Sequence, residues 1–568
     1  MIKNIFIILL LSNGLYAFSQ NSNLDDTLDG VNTSTNETVF LHSNATSFVC
    51  GETLNYKLYC LNPKDFTPSK ISKIAYSMLI GKEGQILLNQ KMFLKNGTGN
   101  GDFFIPTTIA TGSYKLIAYT NWMLNKSNSK FYEVDITIIN PYQINPENKI
   151  NSNSVFDEQL VSPNSESGSL NLNKNEFSVR EKINLTINLA EQYKNGSYSL
   201  SVRKKEDLPS IKPINSIDFS ARVDSSFINI TNAILPELRG EIISGKISTK
   251  NELFRLNDIS IALSNPSKSF EFKIVKTDKN GRFIFNIDKP YTESNFFIQV
   301  FDGNKNEYSI NIDNKNLPDI SSIIYNNNYK LDSKFKTIIE KRSIANQVEN
   351  AFYNIKLDSV KTINTDNIFY SSFAKDYILD NYTRFSTLKE TTIEIVKEMY
   401  YTKKGEDYSL HLNDYDPNIE VSEPALVLID GLLVQNVNEL FDYKTDNIYK
   451  ISIIPGGYYY GGKLFNGVIS FITKNNDYQT KAFGNYIAKP NIIVPNIEKI
   501  YYKEDYSDKN KNSRIPDYRE QLLWMPYVKI NKELSFFSSD ITGIFEIVFE
   551  GFTNEGKPIS LTKTIEIK

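Results

Sequence analysis

Apolar and polar residues alternate in short runs along most of the chain. From Val39 to about Ile139 these runs are separated by Asn62-Pro63, Gly81 to Gly84, Asn96-Gly97 and Thr111-Gly112. Short strands punctuated in this way predict a β-sandwich. In Glu52–Cys60 the period of two sets Leu54, Tyr56, Leu58 and Cys60 on one face. Residues 141–169 hold Pro, Ser and Asn with little apolar content and read as a linker. Strands resume over Leu170–Val202, where Ile183, Leu185, Ile187 and Leu189 alternate strictly. A third β block covers Leu238–Val300, with Asp278-Lys-Asn-Gly281 predicting a hairpin between two alternating runs. The period lengthens over 330–400, where Phe335, Ile338, Ile339, Ile344, Val348 and Phe352 predict a helix. Strand character returns at Ala425–Val434, with Asp430-Gly431 as a turn pair. Residues 475–520 are polar and irregular, with Lys503 to Lys511 reading as a solvated loop. Ser535–Lys568 reads as two or three strands with a turn at Asn554-Glu-Gly556.

Composition narrows the chemistry. The chain of 568 residues carries 34 Tyr and 35 Phe beside 2 Trp, which suits half-buried pleated surfaces. A net charge of -3 gives no bulk attraction for nucleic acid. The histidines are His42 and His411 and the cysteines Cys50 and Cys60. None of their spacings is the short paired kind that zinc sites use. His411 stands near Asp414 and Asp416, but a loop histidine among acids reads as solvated. The expectation is a protein that is not an enzyme, with no catalytic residue, cofactor or metal site.

The first residues form an address label. Lys3, the apolar run Ile5–Leu11 and the exit Ala17-Phe18-Ser19-Gln20 predict a cleaved secretory signal over 1–20, with no transmembrane segment in the mature chain. A Cys50–Cys60 disulfide is opposed by geometry. Along an extended strand their Cα atoms would lie roughly 25–33 Å apart, against the limit of about 7 Å for a bridge. Both thiols are expected to be unpaired, with Cys60 packed as a small hydrophobe.

Several blocks resemble known families. Gly51-Glu52-Thr53, Gly101-Asp102-Phe103-Phe104-Ile105-Pro106 and Gly112-Ser-Tyr114 through Tyr119-Thr-Asn-Trp122-Met123 are similar to the macroglobulin-type sandwich of exported Bacteroidota proteins. In that resemblance Gly51, Glu52, Gly112, Tyr114, Tyr119 and Trp122 are structural positions. Cys50-Gly51-Glu52-Thr53 also resembles a thioester motif, but Thr53 replaces the glutamine whose amide that chemistry requires. Gly240, Ile242-Ile243, Leu256-Asn-Asp258 and Thr277 to Phe283 resemble the carboxypeptidase regulatory-like sandwich, which carries no peptidase activity. The run Ala425–Val434 with Asp430-Gly431, then Asn438-Glu-Leu440, Ile448–Ile453, Pro455-Gly456-Gly457-Tyr458-Tyr459-Tyr460-Gly461-Gly462 and Phe465-Asn-Gly467-Val468 resemble the plug of TonB-dependent receptors. The tail, from Arg514 to Pro526 and Phe536 to Gly543, resembles the closing sandwich of the same composite proteins.

The expected fold class is mainly β with a minor helical segment, a multidomain string of Ig/macroglobulin-like β-sandwiches plus an α+β plug-like domain. The expected division is a signal peptide (1–20), a macroglobulin-type sandwich (21–140), a linker (141–169), a second sandwich (170–235) and a carboxypeptidase regulatory-like sandwich (236–320). A helical segment (321–392), a plug-like domain (393–477) and an irregular loop with a C-terminal sandwich (478–568) follow. After Asp477, 91 residues remain. About 22 spanning strands of a plugged barrel need roughly 200. The expectation is therefore an exported, non-enzymatic binding or accessory protein, not itself a transporter. It would lie at the periplasm or cell surface, associated with the outer membrane and partnered by an envelope protein, with no nucleic acid. The plug-like motif marks the expected interface, although Tyr458-Tyr459-Tyr460 reads more simply as packing against the sheet or a neighbouring domain. The alternative is a macroglobulin-like protease-interacting or adhesive surface protein.

Overall fold

A computed structural model describes residues 36–126, 131–143, 166–223 except 209, and 234–361 except 322, 324 and 326–332. It also describes 368–413 except 371, 424–507, and 514–568 except 531. The signal at 1–20 lies outside the described residues, as does most of the linker at 141–169. The chain is mainly β, with a few short helices. Among the described residues no helix is long and apolar enough to cross a membrane. Two compact units form, one from 242–315 with 363–494, the other from 32–241 with 316–362 and 495–568.

The larger unit holds two sandwiches. In the first, a sheet ordered Thr38–Ser43, Thr53–Leu61, Thr98–Phe104 faces a five-stranded sheet ordered Ser47–Val49, Tyr132–Ile139, Gly112–Tyr119, Ile74–Gly81, Ile86–Phe93. Leu54, Tyr56, Leu58 and Cys60 enter the core as their alternation implies. The opposite face of that strand, Asn55, Lys57 and Tyr59, is buried too, with Lys57 and Tyr59 bonded to Ser197 and Ser199 of the neighbouring sandwich. Both cysteines are free and buried.

The second sandwich departs from the expected division. One sheet runs Glu176–Phe177, Pro558–Ile567, Gly543–Thr553, Gly196–Lys204, Gln521–Met525, and the other Leu534–Phe537, Lys182–Leu189, Gly168–Leu172. The segments read as separate sandwiches at 170–235 and 478–568 therefore build one. Gly196–Lys204 pairs along its whole length with Gly543–Thr553, placing Leu200 opposite Phe549. Ile183 and Leu185 share a core with Phe545, Ile547 and Phe549. Neither half has a second apolar face to close against, so each completes the other.

The smaller unit contains a third sandwich and a mixed sheet. The sandwich packs Arg282–Ile287, Glu241–Thr249, Tyr308–Ile312 against Glu271–Lys276, Ser260–Asn265, Phe297–Val300, Ile487–Ala488. Asp278–Gly281 turns as expected, with Gly281 at φ 76°, but Glu271–Lys276 and Arg282–Ile287 lie in different sheets. The predicted hairpin is thus an arch between two layers. The mixed sheet is ordered Lys375–Ile378, Ile448–Tyr460, Lys463–Thr473, Leu426–Ile429, Leu432–Leu433. Its first strand comes from the segment read as helical. One face packs on Leu388, Val396, Met399 and Leu412. The other shares a core with Ala262, Phe270, Phe272 and Ile274 of the third sandwich.

The predicted helix is realised as Lys336–Ala351, in the larger unit. Its buried face differs from the apolar stripe: Arg342, Ser343 and Ala345 are inside, whereas Ile344 is exposed. The polar segment read as irregular is docked where it is described. Ile487–Ala488 extends the third sandwich, and Lys499–Ile500 pairs with Ser359–Val360 in the larger unit.

Candidate functional site

The plug-like motif residues converge on one hairpin and its seat within the smaller unit. Asp430 (φ 49°) and Gly431 (φ 86°) form the two-residue turn between Leu426–Ile429 and Leu432–Leu433. Both central residues of such a turn take positive φ, which matches the strand twist. The Asp430 carboxylate is buried and accepts from Thr473 N (2.7 Å) and Thr473 Oγ1 (2.6 Å), fastening the last strand of the sheet. Burial raises its pKa despite these donors. A Cβ on Gly431 would lie 2.1 Å from Phe270 Cγ, so only glycine lets the turn meet the third sandwich.

The hairpin of Ile448–Tyr460 and Lys463–Thr473 closes through Gly461 (φ 58°) and Gly462 (φ 76°), again a positive-φ pair. Gly456 (φ 90°) lies where the ladder shifts register between Ile454 and Gly457. Gly467, also at positive φ, passes so close to the Ile454 carbonyl that a Cβ would sit 2.3 Å from it. Beyond this bulge the tyrosines alternate. Tyr460 donates to the Phe272 carbonyl (2.6 Å) and stacks on Phe369 at 4.4 Å between ring centroids. Tyr458 donates to the Phe369 carbonyl (3.3 Å). Burial raises the pKa of both phenols. Phe465, opposite Tyr458, is buried and stacks on Phe301. The intervening pair points outward. Tyr459 is 68% exposed, and its cross-strand partner Leu464 is 44% exposed. The hairpin tip is therefore fixed on one face and offers an aromatic–aliphatic pair on the other.

The sandwich positions serve packing. Gly51 (φ 98°) turns the chain so that Glu52 enters a charge cluster with Arg342 and Arg203. Burial alone would raise the Glu52 pKa, and the two guanidiniums outweigh it and hold the carboxyl ionised. Tyr114 donates to the Ala110 carbonyl beside the strand that starts at Gly112. Tyr119 stacks on Tyr76, and Trp122 is buried in the short turn Asn121–Asn125.

Several buried groups carried no sequence signal. Lys57 is sealed inside, with Nζ 2.7 Å from Ser197 Oγ and 3.3 Å from the Tyr198 carbonyl, between the rings of Tyr59 and Tyr527. Burial drives its pKa well below that of a free lysine. His42 Nδ1 is 2.7 Å from Ser199 Oγ, and burial lowers its pKa to about 3. Each of these hydroxyl–base pairs lies at the junction of the two sandwiches, where the side chains are enclosed. Alternation sets Lys57 on the face opposite Leu54, Tyr56 and Leu58, and it does not record what covers that face. His411, read as a loop residue, lies in strand Asp407–Leu412, stacked on Tyr400 and 3.2 Å from Thr402 Oγ1. Burial lowers its pKa. Asp414 and Asp416 lie outside the described residues. Among the described residues no group of three or more His, Cys, Asp or Glu side chains could hold a metal ion.

No protein-family model matches the chain, and no curated protein matches it. Solved structures similar to it include Escherichia coli alpha-2-macroglobulin activated by porcine elastase, at 9% identity and a TM-score of 0.23, covering 94% of this chain and 44% of that one. Salmonella alpha-2-macroglobulin reacted with methylamine is similar at 9% identity and a TM-score of 0.22, covering 94% and 39%. The Yersinia pseudotuberculosis adhesin InvE is similar at 11% identity and a TM-score of 0.14, covering 49% and 58%. The chain spans less than half the length of these two macroglobulins.

Proposed function

We propose that the protein is a non-enzymatic, exported binding or accessory protein of the outer-membrane periphery, and that the plug-like hairpin tip is its contact element. One observation carries the reading: Tyr459 and Leu464 stand out to solvent from a tip whose other face is locked by Tyr458, Tyr460 and Phe465. A hairpin backbone held this way has little freedom left to lose on binding, which favours the aromatic it carries as an anchor in a protein interface.

The test is site-specific photo-crosslinking from position 459 in the full chain, in cells that make it. An adduct with an outer-membrane protein, lost when Leu464→Ser is added, supports the reading. Adducts only with soluble proteins, or none that depend on Leu464, would sink it.

A further inference from the structure

The larger unit seals two lysines from solvent. Lys57 donates to a hydroxyl and a backbone carbonyl, neither of which offers its amine a carboxyl to condense with. Lys91 faces an acid. Its Nζ lies 2.6 Å from Glu241 Oε2, and neither side chain exposes any surface. The register of Ile74–Gly81 with Ile86–Phe93 sets Tyr76 directly opposite Lys91. The Tyr76 hydroxyl donates to both oxygens of a further buried carboxyl, Glu237, at 3.0 and 3.2 Å. Lys115 and Lys273 differ in that the acids beside them, Asp135 and Asp288, reach water.

We propose that Lys91 and Glu241 condense to an intramolecular amide between Nζ and Cδ. Ammonium and carboxylate give amide and one water. The Nζ–Cδ bond forms, one Cδ–O bond breaks, and that oxygen leaves with two of the ammonium protons. Electrons and charge balance without an oxidant or co-reactant. In water this condensation is uphill because hydration stabilises the two ions. At Lys91 and Glu241 that hydration is gone, so the neutral amide loses its main competitor. The fold also holds the reacting groups in contact, so the entropy of bringing them together is already spent. The bond would tie the middle of strand Ile86–Phe93 to a residue 150 positions on.

Mass spectrometry of the full chain tests this independently of any binding role. Denatured protein, with its N-terminus assigned in the same experiment, is expected to weigh less than its sequence by the mass of one water. Protease digestion should yield one branched peptide joining Lys91 to Glu241. Lys91→Arg should restore the full sequence mass. Glu241→Gln should lose ammonia in place of water, because its side-chain amide leaves as ammonia. Wild-type protein at its full sequence mass, with Lys91 and Glu241 in separate peptides, overturns the proposal.

Discussion

Arg342 grips Glu52 with two nitrogens, Nε to Oε1 at 2.9 Å and Nη2 to Oε2 at 2.8 Å. Glu52 belongs to the first sandwich. The remaining nitrogen, Nη1, reaches Glu206 at 2.6 Å, and Glu520 lies 3.2 Å from Nε. Both of these acids flank strands of the second sandwich. One side chain of the helix Lys336–Ala351 thus holds both sandwiches of the larger unit.

Arg342→Met should destabilise this unit by about 3–5 kcal/mol, because Glu52 is left buried without its main partner. Glu52→Gln added to Arg342→Met should recover part of that loss. Denaturant unfolding of both variants measures it. A loss under about 1 kcal/mol would show that Arg203 and the other contacts hold Glu52 unaided.

Glu550 sets a pH dependence. It is fully buried and accepts from Ser216 N and Ser560 Oγ, and burial raises its pKa to about 7. The folded value lies above the unfolded one, so protonation favours the fold. The contribution is complete below about pH 4.5 and is lost as pH rises through about 7, roughly 3 kcal/mol in all. Glu550→Gln should flatten the stability profile between those limits. His42 works the other way: its stabilisation is present above about 6.5 and falls away toward about 3. The difference between Glu550→Gln and wild type isolates Glu550, because His42 is common to both.

Lys57 is buried and donates to the Ser197 hydroxyl and the Tyr198 carbonyl. Lys57→Met keeps the length of the side chain and removes the cost of burying an amine, so stability should hold or rise by about 1–2 kcal/mol. Lys57→Ala should instead lose about 2–4 kcal/mol through the cavity left between Tyr59 and Tyr527. Thermal melts of the two variants should move in different directions. Equal losses would mean that the amine's hydrogen bonds matter more than the packing of its stem.

At the hairpin tip, Gly461→Ala should cost about 1–3 kcal/mol. It combines a φ of 58° with a Cβ that would sit 2.4 Å from Ile274 Cβ. The loss should appear first as faster amide exchange at Tyr458 and Tyr460, before any global unfolding. Tyr459→Ser should leave stability within about 0.5 kcal/mol, since that side chain packs on little. A Tyr459→Ser variant that unfolds would show that the tip is not free.

Local features were legible in advance. Leu54, Tyr56, Leu58 and Cys60 lie inside as their alternation requires. Asp430-Gly431 turns with positive φ at both positions. The contacts of half-buried Tyr458 and Tyr460 match the simpler packing reading of the tyrosine run, and Tyr459 departs from it. The apolar stripe Phe335–Val348 predicts the helix but not its whole buried side, because Arg342 turns inward to acids that distant segments supply. Its N-terminal end does follow the stripe, with Ile338 and Ile339 packed against Val49 and Leu208. Asp278–Gly281 was read as a hairpin because a turn motif states that the chain reverses, not whether the flanking strands share a sheet.

The sequence by itself determined the main alternating runs, which residues face one side of each, and where glycine must turn the backbone. These depend on φ, ψ preferences and on a period of two, both of which are properties of neighbouring residues. Only the tertiary structure decided which strands share a sandwich. It joined 168–204 to 521–567 and buried the second face of Thr53–Leu61. That burial encloses Lys57, and the packing of the helix Lys336–Ala351 gives Glu52 its arginine from nearly three hundred residues away. Partner choice depends on the whole apolar area each face must cover, and no local pattern records which distant segment will cover it.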